Sequence, residues 1–216
     1  MPDFEYFVKG NNPKLLIHSG THGDEFESID IVKKCVEKYE NKLPDFIFVP
    51  VVSPSAVSAK TRFNDNGKDL NRVFFSDSTE IEVQVNAKII NGHKFDLMIS
   101  FHEDPESFEY YIYDEGLNTE KSEKILKHNS KLKNFGVKLL NGIDDFNDPR
   151  LGKEFIEGYN KLIISEDLTN NGMATVWAIA EKHTKNSLTP EIPGLLTLKQ
   201  KEMIIDSFFK DILCVD

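Results

Sequence analysis

The chain is poor in the residues that mark several common kinds of protein. Its 216 residues include two cysteines, Cys35 and Cys214, and neither belongs to a C-x-x-C pair. That removes paired-cysteine metal sites, and both thiols are expected to be free and reduced, Cys35 on a helix and Cys214 at a fraying end. No apolar run approaches the ~20 residues of a membrane-spanning helix. The start, MPDFEYFVKG, lacks the basic segment and apolar stretch of a signal peptide, so a cytoplasmic protein is expected. Positive charge is also scarce. Lys and Arg number 26 against 36 Asp and Glu, a formal net charge of -10. An acidic surface repels phosphate backbones and argues against a nucleic-acid partner. Neither an internal repeat nor a low-complexity linker divides the chain, so one domain over 1–216 is expected.

What is abundant is apolar material in short runs. Hydrophobic residues make up 39%, with 16 Phe, enough for thick apolar layers. KLLIH at 14–18, FIFVPVV from 46, DLMISF at 96–101 and KLIIS at 161–165 read as buried strands bounded by Pro, Gly or Asp. FEYYIY at 108–113, 135–140 and SLT at 187–189 are also extended in character. Helical spacing appears over 25–40 (Ile29, Val32, Val36, Tyr39), 79–92, 119–130, 173–184 and 197–213. Alternation of near-continuous apolar strands with helices predicts an α/β fold whose sheet is largely parallel and covered on both faces.

Three segments carry groups suited to a metal. SGTHGDE at 19–25 follows a strand and leads into a helix. His22 and Glu25, three apart, would share one side of a first helical turn, and Gly20 and Gly23 permit a close backbone approach. ISFHED at 99–104 brings His102 to a strand end, where open α/β sheets bind ligands. SLTPEIPG at 187–194 offers Glu191 at another strand end as a candidate base. A lone H-x-x-E is a weak signal. His18, His93, His128 and His183 are expected to be ordinary core or surface histidines, His18 least securely because its strand leads into the site. KTRFNDNGKDLNRVF at 60–74 sets Arg62, Asn71 and Arg72 in a turn-rich stretch of an acidic chain. A guanidinium fork matches a carboxylate, and an asparagine amide adds a donor. Glu103 and Asp104, next to His102, are expected to face the site and favour a substrate bearing an amino group.

Taken in order, His22 and Glu25, the D-L-N-R segment from Asp69 to Arg72, His102 and Glu191 resemble the zinc carboxypeptidase superfamily, including its succinylglutamate desuccinylase/aspartoacylase branch. The resemblance spans residues 14–194. It implies a mixed eight-stranded sheet between helices and one zinc per chain, held by His22, Glu25 and His102. It implies that Asn71 and Arg72 bind a substrate's free carboxylate, Arg62 polarises the scissile carbonyl, Glu191 activates water, and Asp69 holds the ring of His22. GTHGDE and DLNRVF look most like the desuccinylase and aspartoacylase branch. HED followed by FEYYIY, and the TPEIPG ending, look more like the carboxypeptidase branch. Carboxypeptidases place a mobile tyrosine ahead of the glutamate. SEDLTNNGM at 165–173 has none, which leaves Tyr159, Tyr111 or Tyr113 as substitutes. The expected activity is zinc-dependent hydrolysis of an amide bond near a free carboxylate, on a peptide or peptide-like substrate. The alternatives are an N-acyl amino acid deacylase and a non-catalytic zinc or ligand-binding module. Retention of Glu191 argues against the last.

Overall fold

The structure is a computed structural model that describes residues 4–117, 120–148, 150–164 and 169–215. The strands are β1 (Phe7–Lys9), β2 (Leu15–His18), β3 (Phe46–Val49), β4 (Leu97–Ser100), β5 (His102–Asp104), β6 (Glu109–Gly116), β7 (Lys138–Leu139), β8 (Gly142–Ile143), β9 (Glu154–Phe155), β10 (Tyr159–Ile163) and β11 (Asn186–Pro193). The helices are α1 (Glu27–Tyr39), α2 (Pro54–Ala59), α3 (Ile81–Ile90), α4 (Glu123–Asn134), α5 (Ala174–Ala180) and α6 (Leu198–Phe208). None is long and apolar enough to cross a membrane.

The main sheet runs β1-β3-β2-β4-β11-β6-β10, with β5 added beside β11 and β7 beside β6. Among the described residues, β1–β3 and β6–β11 pair antiparallel, and the other pairings in this sheet are parallel. This is the expected mixed, largely parallel sheet. It has nine strands rather than eight, and β5 and β7 are short pieces off the main path. β8 and β9 form a separate two-stranded ribbon.

Side chains of a strand alternate between faces, so each continuous apolar run feeds two cores. Leu15, Ile17, Phe46, Phe48 and Ile99 pack on one face with Val32 and Val36 of α1, Ile125 of α4, and Ile204 and Phe208 of α6. Leu16, Ile47, Val49 and Met98 pack on the other with Val83 and Ile90 of α3 and Trp177 of α5. Helix boundaries have local causes. Ser122 accepts the Ile125 N–H at the start of α4, and Thr197 and Gln200 form a capping box on α6. Pro54 opens α2, where its missing N–H costs nothing.

Several boundaries differ from the sequence reading. Helix α1 begins at Glu27, so His22 and Glu25 lie on the preceding turn and not in a helix. Glu191 lies within β11, two residues before its end, and His102 opens a strand of its own. Helix α5 ends at Ala180, because Lys182 takes a left-handed backbone (φ 59°). The strand at 161–165 is observed as β10, and Ser165 lies outside the described residues. Cys35 and Cys214 are free, as expected, the first buried and the second half-buried.

Candidate active site

His22 and Glu25 sit on the turn between β2 and α1. Gly20 adopts a positive φ of 62°, and a side chain on Gly23 would begin 1.8 Å from the Ala56 carbonyl oxygen. Glycine at position 23 lets the turn press against α2, and at position 20 it takes the positive φ beside Pro50 and Val51. His102 reaches the same place from the start of β5. Donor atoms of His22, Glu25 and His102 lie within 4.8 Å of one another, and all three residues are buried.

The hydrogen bonds fix which nitrogens face inward. His22 Nε2 lies 3.0 Å from Asp69 Oδ1, and an ionised carboxylate only accepts, so Nε2 carries the proton. Nδ1 of His22 faces Glu25 Oε1. His102 Nε2 lies 3.1 Å from Ser100 Oγ, and its Nδ1 lies 2.8 Å from Glu25 Oε2. Two ring nitrogens and a carboxylate thus converge, an arrangement that calls for positive charge, from a protonated ring or a bound cation. The protonation energetics agree. Burial opposes charge on the His22 ring, but the Glu25 carboxylate and the Asp69 hydrogen bond outweigh it and raise its pKa to about 9. Burial likewise opposes ionisation of Glu25, and His22 and His102 overcome that and hold it well below the usual carboxylate range. Nitrogen and oxygen donors with hydrogen-bonded outer atoms fit a divalent ion such as zinc.

Asp69 ties this cluster to the basic loop. It accepts from His22, from the Asn71 N–H at 2.9 Å, and from Arg62 Nε at 2.9 Å. Nη1 of Arg62 lies 4.0 Å from Glu25 Oε1. Asn71 Oδ1 accepts the Ala174 N–H at 2.9 Å, which docks the loop on the first turn of α5. Arg72 donates to the Asn71 carbonyl and to Asp148 Oδ2, at 2.9 and 2.7 Å. The proposed carboxylate-binding arginine therefore already holds a carboxylate of the chain itself.

These residues line one cavity of about 1150 Å³, together with Glu191, Tyr111 and Tyr113. In β11, Glu191 stands in register with His102 on one side and Tyr111 on the other. Burial, then the nearby charges of Glu25 and Asp104, push its pKa well above the usual value. Tyr111 donates to Asp104 at 2.9 Å and Tyr113 to Asp144. Tyr159 instead donates to buried Asp114 at 2.6 Å and is not part of the cavity wall, which corrects its place among the substitutes for a mobile tyrosine. Residues 165–168 of SEDLTNNGM lie outside the described residues.

Glu103 also departs from expectation. It lines the cavity, but its carboxylate accepts from the Ser28 N–H at 2.7 Å and from Lys201 Nζ at 2.6 Å, so that it caps α1 and pairs with α6. Its backbone N–H donates to Glu25 Oε2 at 3.2 Å. His18 is fully buried, and burial lowers its pKa to about 3, which keeps the ring neutral. The sequence reading missed Lys201, Asp148 and Glu115. Glu115 had a signal, because it continues the period-two face of Tyr111 and Tyr113. Lys201 and Asp148 had none, since their contacts bridge distant parts of the chain.

A mixed sheet bearing a buried histidine–glutamate–histidine cluster near its strand ends is the architecture of a carboxypeptidase-like hydrolase, and the cluster points to a metal. The model of the succinylglutamate desuccinylase/aspartoacylase catalytic domain matches residues 11–207, and the chain belongs to that family. Among solved structures, a protein from Shewanella baltica OS155 described as a metallopeptidase covers 97% of this chain and 81% of its own length. Its TM-score is 0.73 at 18% identity. The murein-tripeptide amidase of Escherichia coli O157 covers 98% of this chain and 86% of its own, with TM-score 0.60 and 17% identity. An aspartoacylase family protein from Mesorhizobium loti covers 98% of this chain and 61% of its own, with TM-score 0.57 and 19% identity. At these identities the likeness is one of fold. A comparison with curated proteins found no match.

Proposed function

We propose that this chain, as one catalytic domain, is a zinc-dependent hydrolase of an amide bond near a free carboxylate, acting on peptides or peptide-like substrates. The observation that carries the reading is the convergence of His22, Glu25 and His102 in the same cavity as Glu191. One zinc held by the three residues would supply Lewis acidity and a water of lowered pKa. Glu191 accepts the proton of the attacking water and returns it to the leaving nitrogen. Arg62 turns Nη1 toward the cluster and stabilises negative charge developing on the scissile carbonyl oxygen. Asn71 and Arg72 bind the free carboxylate once it displaces Asp148, which accepts one hydrogen bond from Nη2 of that arginine. Asp69 keeps His22 in the tautomer that leaves Nδ1 free.

A second reading is an N-acyl amino acid deacylase, favoured by the family match over residues 11–207. One experiment separates the two. The zinc-loaded protein is assayed on peptides with free C-terminal carboxylates, γ-glutamyl peptides and N-acyl amino acids, beside Glu191→Gln. Peptide cleavage that falls about a hundredfold to ten-thousandfold in the variant, with zinc content unchanged, supports the proposal. Cleavage of acyl amino acids alone selects the second reading, and near-normal turnover by the variant removes Glu191 from the mechanism.

A further inference from the structure

Glu115 is a buried acid that the proposed chemistry does not use. It lies on β6 opposite Ser187 of β11, as Tyr113 lies opposite Thr189 and Tyr111 opposite Glu191. Alternation puts these residues on the sheet face that carries Glu191. Glu115, Tyr113, Thr189 and Glu191 all line the cavity. Glu115 is four positions from Tyr111, so at about 3.4 Å per residue it stands roughly 14 Å along the strand from the row of Glu191. The cavity therefore runs from the reacting end to a carboxylate.

That carboxylate is oriented by hydroxyls, and Lys153, the positive charge that acts on it, lines the same cavity without forming an ion pair with it. Glu115 is 7% exposed and accepts the Ser187 hydroxyl at 3.0 Å. The Thr175 side chain is its other hydrogen-bond partner, and among the described residues it joins no ion pair. Other buried carboxylates are matched differently, Asp114 by Lys161 and Glu103 by Lys201. A buried acid whose hydrogen bonds come only from hydroxyls, with Lys153 beyond ion-pair distance, still gains from a cation delivered into the cavity.

The anchor for the substrate carboxylate adjoins this place. Asn71 holds the Ala174 N–H, and Thr175, the next residue, bonds Glu115. A substrate residue whose carboxylate rests on Asn71 and Arg72 would thus share one cavity with Glu115. We infer that Glu115 is a specificity residue that selects a substrate whose carboxylate-bearing residue has a cationic side chain, a long primary amine or guanidine. This rests on the carboxylate anchoring set out under the proposed function.

The test uses the full zinc-loaded chain and two peptides that differ only in a C-terminal lysine or norleucine. Norleucine keeps the aliphatic stem and lacks the ammonium group. The wild type should favour lysine in kcat/KM by about tenfold to a hundredfold, the range of a hydrogen bond to a charged group. Glu115→Gln should bring the ratio of the two substrates close to one, and Glu115→Asp, which keeps the charge on a shorter stem, should retain part of it. No lysine preference in the wild type, or a preference that survives Glu115→Gln, overturns the inference. If neither peptide is cleaved, the proposed activity fails, and calorimetry with free lysine and free norleucine decides the inference separately. Lysine binding that weakens in Glu115→Gln supports it, and equal binding of the two amino acids refutes it. Should Glu115→Gln not fold, Glu115→Asp decides: a reduced lysine preference supports the inference, and an unchanged one overturns it.

Discussion

Replacing Lys201 by methionine removes a charge that three elements share. The side chain, on α6, is 2% exposed. Its ammonium lies 2.6 Å from Glu103 Oε2 in β5 and 2.6 Å from Glu27 Oε2 in α1. Methionine fills a similar volume along the stem, so packing changes little. The electrostatic loss falls on Glu103, which is 4% exposed and keeps only the Ser28 N–H for its carboxylate. Breaking a buried ion pair from one side costs about 3–5 kcal/mol. Glu27 is 44% exposed and returns to water, so its share is roughly 0–1 kcal/mol. For a domain of this size 1 kcal/mol moves Tm by roughly 2–4 °C, which predicts a fall of roughly 6–20 °C. Urea unfolding at neutral pH with a chelator present measures the loss without metal linkage. The double variant Lys201→Met/Glu103→Gln leaves no stranded charge and should recover most of it. A single-variant loss below about 1 kcal/mol, or a double variant less stable than the single, would refute the reasoning.

Three further outcomes are expected. His102→Ala should lower the metal content of the purified protein, and unchanged content would mean a different ligand set. Arg72→Lys should raise KM about tenfold to a hundredfold for a carboxylate substrate, because lysine does not reproduce the guanidinium fork. Equal losses on the carboxylate and the matched carboxamide would make Arg72 a structural partner of Asp148. His128 concerns stability: burial lowers its pKa to about 4 from 6.5, against a weaker pull from Asp211. The unfolded chain then binds the proton more readily, so the contribution is complete above pH 6.5 and is lost as pH falls toward 4. At 1.36 kcal/mol per unit this amounts to about 3 kcal/mol. His128→Gln should flatten urea midpoints measured between pH 7 and 5 relative to wild type, and parallel curves would exclude this histidine as the cause.

The sheet was legible because its strands are short apolar runs with Pro, Gly or Asp at their ends, and the helices because α1 and α6 repeat their apolar residues at helical spacing. Elements without an apolar signature were missed. Strand β1 is three mostly exposed residues at the sheet edge, and β5 is the charged triplet HED, which no period identifies as a strand. His22, Glu25 and His102 could be paired from strand ends and turn chemistry, and the structure brings them together. Their support could not be read. The contact of Lys201 with Glu103 joins positions 98 apart, and that of Arg72 with Asp148 joins positions 76 apart. Such pairs exist only after the sheet and helices have closed. Glu103 illustrates the reason: its neighbour His102 is a cluster residue, yet alternation along β5 sends its own side chain to the opposite face.

The capping of α1 by Glu103 has a thermodynamic consequence. Through one residue, the N–H that bonds Glu25 and the carboxylate that holds Lys201 share a single rigid peptide and side chain. Detachment of α6 would release Glu103, and with it one of the hydrogen bonds that orients Glu25. Linkage makes such coupling reciprocal: whatever steadies Glu25 also opposes the opening of α6. Amide hydrogens near Lys201 should therefore exchange more slowly when an ion occupies the histidine–glutamate cluster. Helix α6 would thus report at a distance on the state of the turn before α1, read out in exchange rates and not in catalysis.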